Sequence, residues 1–214
     1  MMRKVVILAG VLLCSAMAAV APANLLLNDG FELGELGQLG SVTVDNWITW
    51  GNSGWHHSDD GLKFDDKGIK FWWDATGMYQ DFAASVGAEY TFEVYAITSQ
   101  TEPLKGWDAV VKAEWLDASW QFVAAEEIGR FFGEKDDKGI AGDPISTWKL
   151  ISGSATAPEE AAYGRIVMVL EQADNWESTT GGAIYWDNAS VVMIPEPLSL
   201  ALLGAGALCL RRKK

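Results

Sequence analysis

Hydrophobic and polar residues alternate along several short stretches of this 214-residue chain. In Glu89–Ile97 every second residue is apolar, which is the pattern of a β-strand that buries one face. Val110–Leu116 alternates in the same way, and Arg165–Leu170 is an apolar, β-branched run after its first residue. No long stretch shows the sustained 3.6-residue period of an amphipathic helix. The pattern therefore predicts an all-β protein.

About eight or nine short strands are predicted, separated by turns rich in Gly, Asp, Asn and Pro. The candidate strands are Trp47–Trp50, Ile69–Trp73, Met78–Phe82, Glu89–Ile97, Val110–Leu116, Trp148–Ala155, Arg165–Leu170 and Ile184–Ile194. Short strands with this spacing favour a jelly-roll β-sandwich. An immunoglobulin-like sandwich is compatible with the same spacing and stays open as the alternative.

The first 23 residues have the three parts of a secretory signal peptide. Two basic residues precede the apolar stretch Val5–Leu13, and small residues follow up to Ala23. We predict cleavage after Ala23, because cleavage after Ala21 would leave a proline just past the cut. The mature chain then begins at Asn24, and residues 24–194 form one domain.

The last twenty residues combine a Pro-Glu-Pro motif, an apolar run from Leu198 to Leu210 and four basic residues. As a helix, the run would reach about 20 Å at roughly 1.5 Å per residue, whereas a bilayer core is about 30 Å thick. The basic cluster would hold the tail on the cytoplasmic side of a membrane.

Those three parts, in that order, resemble the PEP-CTERM sorting signal of Gram-negative bacteria. The resemblance assigns residues 195–214 to a hydrophobic sorting or anchor segment, with the sorting residues Pro195, Glu196, Pro197, Arg211 and Arg212. It implies processing by an exosortase near the Pro-Glu-Pro motif and a transient stay in the inner membrane. It also implies display at the cell surface, in the outer envelope or in the extracellular matrix.

Charge and cysteine usage narrow the partners of the domain. Residues 24–194 carry 10 basic and 28 acidic side chains, a net charge of −18. Such a surface repels nucleic acid and anionic lipid, which makes both poor candidates as partners. Both cysteines, Cys14 and Cys209, lie in the removable ends, so the mature domain has neither a disulfide nor thiol chemistry.

The pentapeptide DDKGI occurs twice, at Asp65–Ile69 and at Asp136–Ile140. It lacks the alternating acidic positions before a glycine that an EF-hand-type calcium loop requires. Asp-Lys-Gly between apolar residues is instead typical of a hairpin turn in which the glycine takes a positive φ. We therefore interpret both copies as turns rather than calcium loops.

Three blocks are spread over most of the domain: Asn24–Gly34 (NLLLNDGFELG), Gly77–Ala96 (GMYQDFAASVGAEYTFEVYA) and Ala183–Val192 (AIYWDNASVV). In this order they resemble the jelly-roll carbohydrate-binding modules of the family 4/9/22 type, which belong to the galactose-binding-like sandwiches. The resemblance implies a sandwich that binds polysaccharide without catalysis.

The same resemblance implies a structural Ca²⁺ that ties the first and last strands together. Its ligands would be Glu32 and Asp187, with the carbonyl of Gly30 as a third. Six to eight oxygen ligands are what Ca²⁺ prefers. The alternative is that Glu32 and Asp187 are ordinary turn or edge residues.

All eleven tryptophans fall inside the domain. Sugar rings stack their apolar C–H faces on aromatic planes, while their hydroxyls need planar polar partners. We expect one loop to hold Trp50, Asn52 and Trp55, and two other loops to hold Trp107 and Trp176. Trp73 is expected to face outward from a strand. Gln80 could donate and accept hydrogen bonds if it faces a groove. The candidate sugar-binding residues are thus Trp50, Asn52, Trp55, Trp73, Gln80, Trp107 and Trp176.

Each of the loop tryptophans could equally anchor its loop on the sandwich. Four other tryptophans are expected in the core: Trp47, Trp115, Trp148 and Trp186.

No catalytic residues are predicted. His56 and His57 are adjacent, and adjacent side chains on a strand point to opposite faces, which disfavours a shared metal. The sequence contains no G-x-S-x-G, no H-E-x-x-H and, in the domain, no thiol. We therefore predict a non-catalytic protein that binds polysaccharide or exopolysaccharide at the cell surface. The alternative is a structural matrix or biofilm protein without sugar affinity; a small secreted glycosidase working with two carboxylates is less favoured.

Overall fold

The computed structural model describes residues 23–72, 74–134, 142–173 and 181–195. Several predictions fall outside these ranges: the signal peptide up to residue 22, Trp73, the second DDKGI copy, Trp176 and the sorting residues from Glu196 onward. In the described ranges, no helix is long and apolar enough to cross a bilayer.

Eleven strands make up the described domain. They are β1 (Gly37–Gln38), β2 (Ile48–Trp50), β3 (Gly54–His57), β4 (Gly68–Trp72), β5 (Gly77–Ala83), β6 (Glu89–Ile97), β7 (Trp107–Leu116), β8 (Phe122–Phe132), β9 (Lys149–Thr156), β10 (Tyr163–Gln172) and β11 (Ala183–Met193).

The strands form two antiparallel sheets that pack face to face. One has six strands in the order β1-β3-β4-β11-β6-β9, and the other has five in the order β2-β5-β10-β7-β8. The last strand, β11, lies in the middle of the six-stranded sheet, between β4 and β6. The prediction of an all-β jelly-roll sandwich is confirmed.

The core lies between the sheets and is rich in aromatic rings. Phe82, Tyr90 and Phe92 surround Trp115, with ring centroids 5.7–6.3 Å from that indole. Trp115 and Trp186 are fully buried, as expected.

Trp47 is also buried, and its indole N–H donates to the carbonyl of Asn28 at 3.0 Å. Trp148 departs from the prediction: it is half-buried outside the core and stacks on Phe64, with centroids 4.5 Å apart. That stack lies on the outer side of the six-stranded sheet, beside Tyr95.

The opening segment of the domain is fastened to the closing strand. The side-chain oxygen of Asn24 accepts hydrogen bonds from the N–H groups of Leu26 and Val191, at 3.1 and 3.0 Å. The Asn24 amide also donates to the carbonyl of Ala189 at 3.1 Å. The first and third of the sequence blocks therefore meet in space.

The first DDKGI copy is not a tight hairpin turn. Its first three residues end a ten-residue connection, residues 58–67, between β3 and β4, and its last two residues begin β4. Gly68 has no positive φ; instead, a Cβ there would lie 3.1 Å from the His57 ring and 3.2 Å from the Trp186 carbonyl. Close packing, and not turn geometry, explains this glycine.

Candidate functional site

Trp50 and Trp55 lie on opposite outer faces of the sandwich. Trp50 is the last residue of β2 in the five-stranded sheet, and Trp55 belongs to β3 in the six-stranded sheet. The short segment between them crosses from one sheet to the other, which corrects the expectation that both share one loop. Asn52 lies in this crossing, and its main-chain carbonyl accepts a hydrogen bond from the Gln38 amide at 2.8 Å. Both indoles remain accessible, Trp50 at 37% and Trp55 at 41% exposure.

The outer face of the five-stranded sheet carries a shallow groove of about 300 Å³, which we call the five-stranded groove. Its lining residues are Trp50, Tyr79, Lys112, Glu114, Arg165, Val167, Val169 and Glu171. The register explains why they meet, because Tyr79 of β5 lies opposite Val167 of β10, which lies opposite Lys112 of β7. Directly opposed residues of antiparallel strands point to the same face.

Trp50 forms one end of this groove because the neighbouring strand has no side chain beneath it. A Cβ on Gly77 would lie 2.2 Å from the indole. The glycine therefore lets the indole lie down on the sheet. Its centroid is 6.1 Å from the Tyr79 ring, with an interplanar angle of 43°.

Arg165 forms the polar centre of the groove. Its guanidinium lies 3.7 Å from the centroid of the Tyr79 ring, in the geometry of a cation–π contact. Its Nε donates to Asp81 at 2.6 Å, and its Nη1 is 3.6 Å from the Glu114 carboxylate. Lys112 and Glu171 form a second ion pair in the same groove. The arrangement presents two aromatic planes beside oriented donors and acceptors.

Two predicted sugar-binding residues, Gln80 and Trp107, lie outside the lining of the five-stranded groove. Gln80 is buried, and its amide both accepts from the Leu27 N–H at 2.6 Å and donates to the Leu27 carbonyl at 2.8 Å. It fixes the opening segment and is not among the residues that line the five-stranded groove. Trp107 is not in a loop but begins β7, half-buried against the core, and within the described residues its indole N–H has no partner.

The outer face of the six-stranded sheet carries a second groove of about 330 Å³, which we call the six-stranded groove. Its lining residues are Leu36, Trp55, His56, His57, Ser58, Asp59, Lys70 and Trp72. The rings of Trp55 and Trp72 lie side by side on β3 and β4, with centroids 6.5 Å apart at 35°.

Lys70 lies beside these rings and pairs with Glu102, which Tyr185 also contacts. Its ammonium donates to Glu102 at 2.5 Å, and the Tyr185 hydroxyl donates to the same carboxylate at 2.9 Å. Burial lowers the pKa of Lys70, but the hydrogen bonds to Glu102 and Tyr185 outweigh it and leave the pKa raised. The pKa of Glu102 is lowered, chiefly by the hydrogen bond from Lys70.

The connection of residues 58–67 covers part of this face beside the groove. Phe64 stacks on Trp148 and meets the Tyr95 ring edge-on at 5.0 Å. Leu62 packs on a small apolar cluster that includes Ile97 and Tyr185. The connection thus covers the part of the six-stranded sheet beside the groove, while the outward-facing residues of β9 remain exposed.

The two histidines face opposite sides of β3, as the sequence predicts. The ring nitrogens of His56 lie 2.8 Å from the Glu35 carbonyl and 2.7 Å from the Phe31 carbonyl. His57 faces the other way, toward Tyr185, and its Nδ1 accepts from the Asp59 N–H at 3.0 Å. Burial lowers the pKa of His57 to about 4.

Acidic and amide oxygens gather where the opening segment meets β11. Asp187 is fully buried and accepts hydrogen bonds from the N–H groups of Phe64 at 2.6 Å and Asn188 at 2.7 Å. Burial raises its pKa to about 6, and the nearby carboxylates of Glu32 and Asp65 add to the rise.

Glu32 accepts from the N–H groups of Asp66 and Lys67, at 3.2 Å each, and a Cβ on Gly30 would lie 3.5 Å from the Asn188 side-chain oxygen. In the described part of the chain, no three Asp, Glu, His or Cys side chains form a metal cluster.

One exposed tryptophan, Trp120, is not among the residues that the sequence pattern singles out. Trp120 lies in the turn between β7 and β8 with φ of 63°, is 50% exposed and stacks on Tyr163 with centroids 3.9 Å apart. Asp117 fixes the turn by accepting from the N–H groups of Ser119 and Gln121. An Asp two residues before a Ser is a turn signal that could have located it.

Comparisons with known proteins give matches among solved structures alone. No protein-family model matches the chain, and no curated protein matches it. The CBM22-1 xylan-binding domain of Paenibacillus barcinonensis Xyn10C has a TM-score of 0.53 and 13% identity over 84% of this chain and 100% of that chain. TmCBM61, solved in complex with β-1,4-galactotriose, has a TM-score of 0.51 and 16% identity over 80% of this chain and 99% of that chain.

The enzymatically active domain of tailspike protein 4 from bacteriophage CBA120 also matches, with a TM-score of 0.52 and 14% identity. The match covers 80% of this chain but only 21% of the tailspike chain. At these identities the likeness concerns the fold. The described domain therefore has the β-sandwich fold of carbohydrate-binding modules, including modules that it matches over their whole length.

Proposed function

We propose that the domain binds a neutral polysaccharide, without catalysis, in the five-stranded groove. The observation that carries the proposal is the accessible ring of Trp50, which lies beside the half-buried Tyr79 and the oriented ion pairs of Arg165. Aromatic planes stack on the apolar faces of sugar rings, and the charged groups can donate to and accept from hydroxyls. A groove that crosses four strands, from Trp50 of β2 to Lys112 of β7, suits a chain better than a small molecule.

The charge of the domain favours a neutral glycan over an acidic one. At a net charge of −18, the domain repels a polyanion at long range. Inside the groove, the charged side chains pair with one another, so no single charge calls for an ionic ligand. Xylan and β-1,4-galactan are the first probes to test, because similar structures are a xylan-binding domain and a galactotriose complex.

The binding test is a calorimetric titration of the protein with xylan and galactan oligosaccharides. Trp50→Ala is expected to weaken binding at least tenfold, which corresponds to about 1.4 kcal/mol. Phe122→Ala is the matched control, because this exposed ring lies on β8 outside the groove lining. Binding that survives Trp50→Ala unchanged would contradict the assignment to this groove, and sustained release of reducing sugar would contradict the absence of catalysis.

We also propose that Glu32, Asp187, Asn188 and the Gly30 carbonyl hold a structural Ca²⁺. The described residues provide no basic side chain that pairs with either carboxylate, although Asp187 is fully buried. Hard oxygens of this kind suit Ca²⁺, with two carboxylates supplying the charge and amide and main-chain oxygens the rest. A bound cation would offset the cost of burying Asp187 in its charged form.

Export and sorting complete the proposal. The charged and apolar start of the chain, and the Pro-Glu-Pro, apolar and basic parts of its end, support secretion and exosortase processing to the cell surface or extracellular matrix of a Gram-negative bacterium. Mass spectrometry of the protein from its native envelope tests both ends. A mature chain that begins at Asn24 and ends near Pro195 is expected, and a mature chain retaining residues 1–23 would contradict export.

A further inference from the structure

The domain carries two grooves of similar size on opposite outer faces, about 300 and 330 Å³. We infer that the six-stranded groove is a second site for a neutral glycan, so that one domain binds two polysaccharide chains and cross-links them. The inference rests on the proposed function, since it extends sugar binding from one face to both.

The floor of the second groove is aromatic and preorganised. Trp55 and Trp72 belong to neighbouring antiparallel strands, so the backbone fixes their spacing. Their rings are inclined at 35° and lie 6.5 Å apart, close enough to act on one ligand. Trp55 is 41% exposed, which is unusual for a side chain whose burial is so favourable. An indole held in water beside a second indole suits the apolar face of a sugar ring.

The polar side of the groove favours a ligand with hydroxyl groups and no net charge. Lys70 lies 5.6 Å from the Trp72 ring centroid and 5.2 Å from that of Tyr185, and its ammonium is held by Glu102. The two charges compensate each other, while the ammonium keeps further N–H donors for a ligand. An anionic glycan would meet both Asp59 at the rim and the net negative charge of the domain.

The walls of the groove limit what it can hold. Ser58 and Asp59, at the start of the covering connection, line one part, and Leu36 lines another. A volume of about 330 Å³ is near the lower end of ligand pockets, which span about 300–1,000 Å³. Each groove therefore accepts a short portion of a glycan at a time, since the five-stranded groove has a similar volume of about 300 Å³.

Two sites on opposite faces can be filled at once. Packed sheets lie about 10 Å apart, so chains bound on the two outer faces are separated by the thickness of the sandwich. The crossing between β2 and β3 puts Trp50 on one side and Trp55 on the other. A polymer with many binding positions would then be joined to a second polymer through each domain.

The test uses xylan and β-1,4-galactan as long polymers, and their short oligosaccharides as monovalent probes. Calorimetry with the oligosaccharide is expected to give two sites per wild-type chain and one site in Trp55→Ala and in Trp50→Ala. Turbidity of the polymer mixed with protein is expected for the wild type and lost in both single variants. Trp55→Phe, which keeps a ring, is the matched control and is expected to retain both sites.

Lys70→Met provides a second variant, because it keeps the alkyl stem beside the rings and removes the donor. It is expected to weaken the second site severalfold and to leave the first unchanged. One site per wild-type chain, unaffected by Trp55→Ala, would overturn the inference while the proposed function stands. No binding by the folded wild-type protein would overturn the proposed function itself. Binding that is lost in Trp55→Ala but not in Trp50→Ala would support the second site and overturn the assignment of the first.

Discussion

The two outer faces of this sandwich use similar residues in different ways. The five-stranded face is open, and its ion pairs lie on the surface: Arg165 with Asp81, Lys112 with Glu171. The six-stranded face is half covered by residues 58–67, and it buries His57 and Asp187. Charged groups at a surface contribute little to stability, about 0–1 kcal/mol per pair, whereas buried ones have large effects.

The difference separates binding from stability. On the five-stranded face, changes are expected to alter ligand affinity and leave the fold intact. On the six-stranded face, changes beneath the covering connection are expected to alter stability, because Asp187 holds the connection through the Phe64 N–H. The six-stranded groove lies on the part of that face that residues 58–67 leave open.

The largest expected effect is a pH dependence that comes from His57. Its folded pKa is about 4, below the unfolded value of about 6.5. The unfolded state therefore binds more protons between these values, and stability falls as the pH is lowered through this window, by roughly 2–3 kcal/mol. Urea unfolding of the wild type and His57→Gln at pH 7 and pH 4.5 measures it, and the variant is expected to lose this fall.

Several groups face His57, and one buried group works against it. Asp59 raises its pKa, whereas Lys70, His56 and Lys63 lower it. Asp187 has the opposite linkage, because its raised pKa makes the metal-free folded state bind a proton between pH 6 and pH 4 and gain stability there. If the free energy of unfolding changed with pH in the same way in the wild type and in His57→Gln, the assignment of the pH dependence to His57 would be contradicted.

The next effect is the response to calcium. At a concentration about 100 times its Kd, a ligand that binds only the folded state adds about 2.7 kcal/mol. For a domain of this size, the melting temperature is then expected to rise by about 5–10 °C over that in chelator. Asp187→Asn is expected to abolish the rise, while Glu171→Gln on the other face keeps it. A melting temperature that is the same in chelator and in calcium would contradict the proposed Ca²⁺ site.

The smallest effect on the free energy of unfolding is expected from Arg165→Lys. Lysine keeps the charge but loses the planar contact with Tyr79 and the paired hydrogen bonds to Asp81. Stability is expected to fall by less than about 1 kcal/mol, because the pair is partly exposed, while oligosaccharide affinity falls severalfold. Arg130→Lys, on β8 outside the groove, is the control and should bind as the wild type does. Equal affinities in the two variants would show that Arg165 is not a ligand contact.

Much of the fold could be predicted because burial leaves a period-two pattern. Glu89–Ile97 was predicted with the bounds that β6 has. By contrast, β8 was missed: it is an edge strand with register shifts against β7, and its residues 124–127 read Ala-Ala-Glu-Glu without alternation. Of its eleven residues β8 fully buries only Phe131, which leaves no alternating pattern in its sequence.

The site was harder to predict because sheet crossings and register are long-range. The sequence around Trp50 and Trp55 does not show that they lie on opposite faces, because their placement depends on which strands pair with β2 and β3. Gln80 is different: it lies two residues from Met78 and from Phe82, on the strand face that these apolar residues occupy, so its inward position is readable from the sequence. Tyr79 and Arg165 come together only through the pairing of β5 with β10.

The central claim is that sugar binds on the five-stranded face. The most direct test is a titration of the protein with xylan and β-1,4-galactan oligosaccharides. During the titration, nitrogen-15 NMR follows the indole N–H signal of each tryptophan. Trp50→Phe assigns the signal of Trp50. The account predicts that this signal shifts saturably with one glycan, while those of the buried Trp115 and Trp186 stay in place. A Trp50 signal that does not move while the folded protein binds the glycan would contradict it.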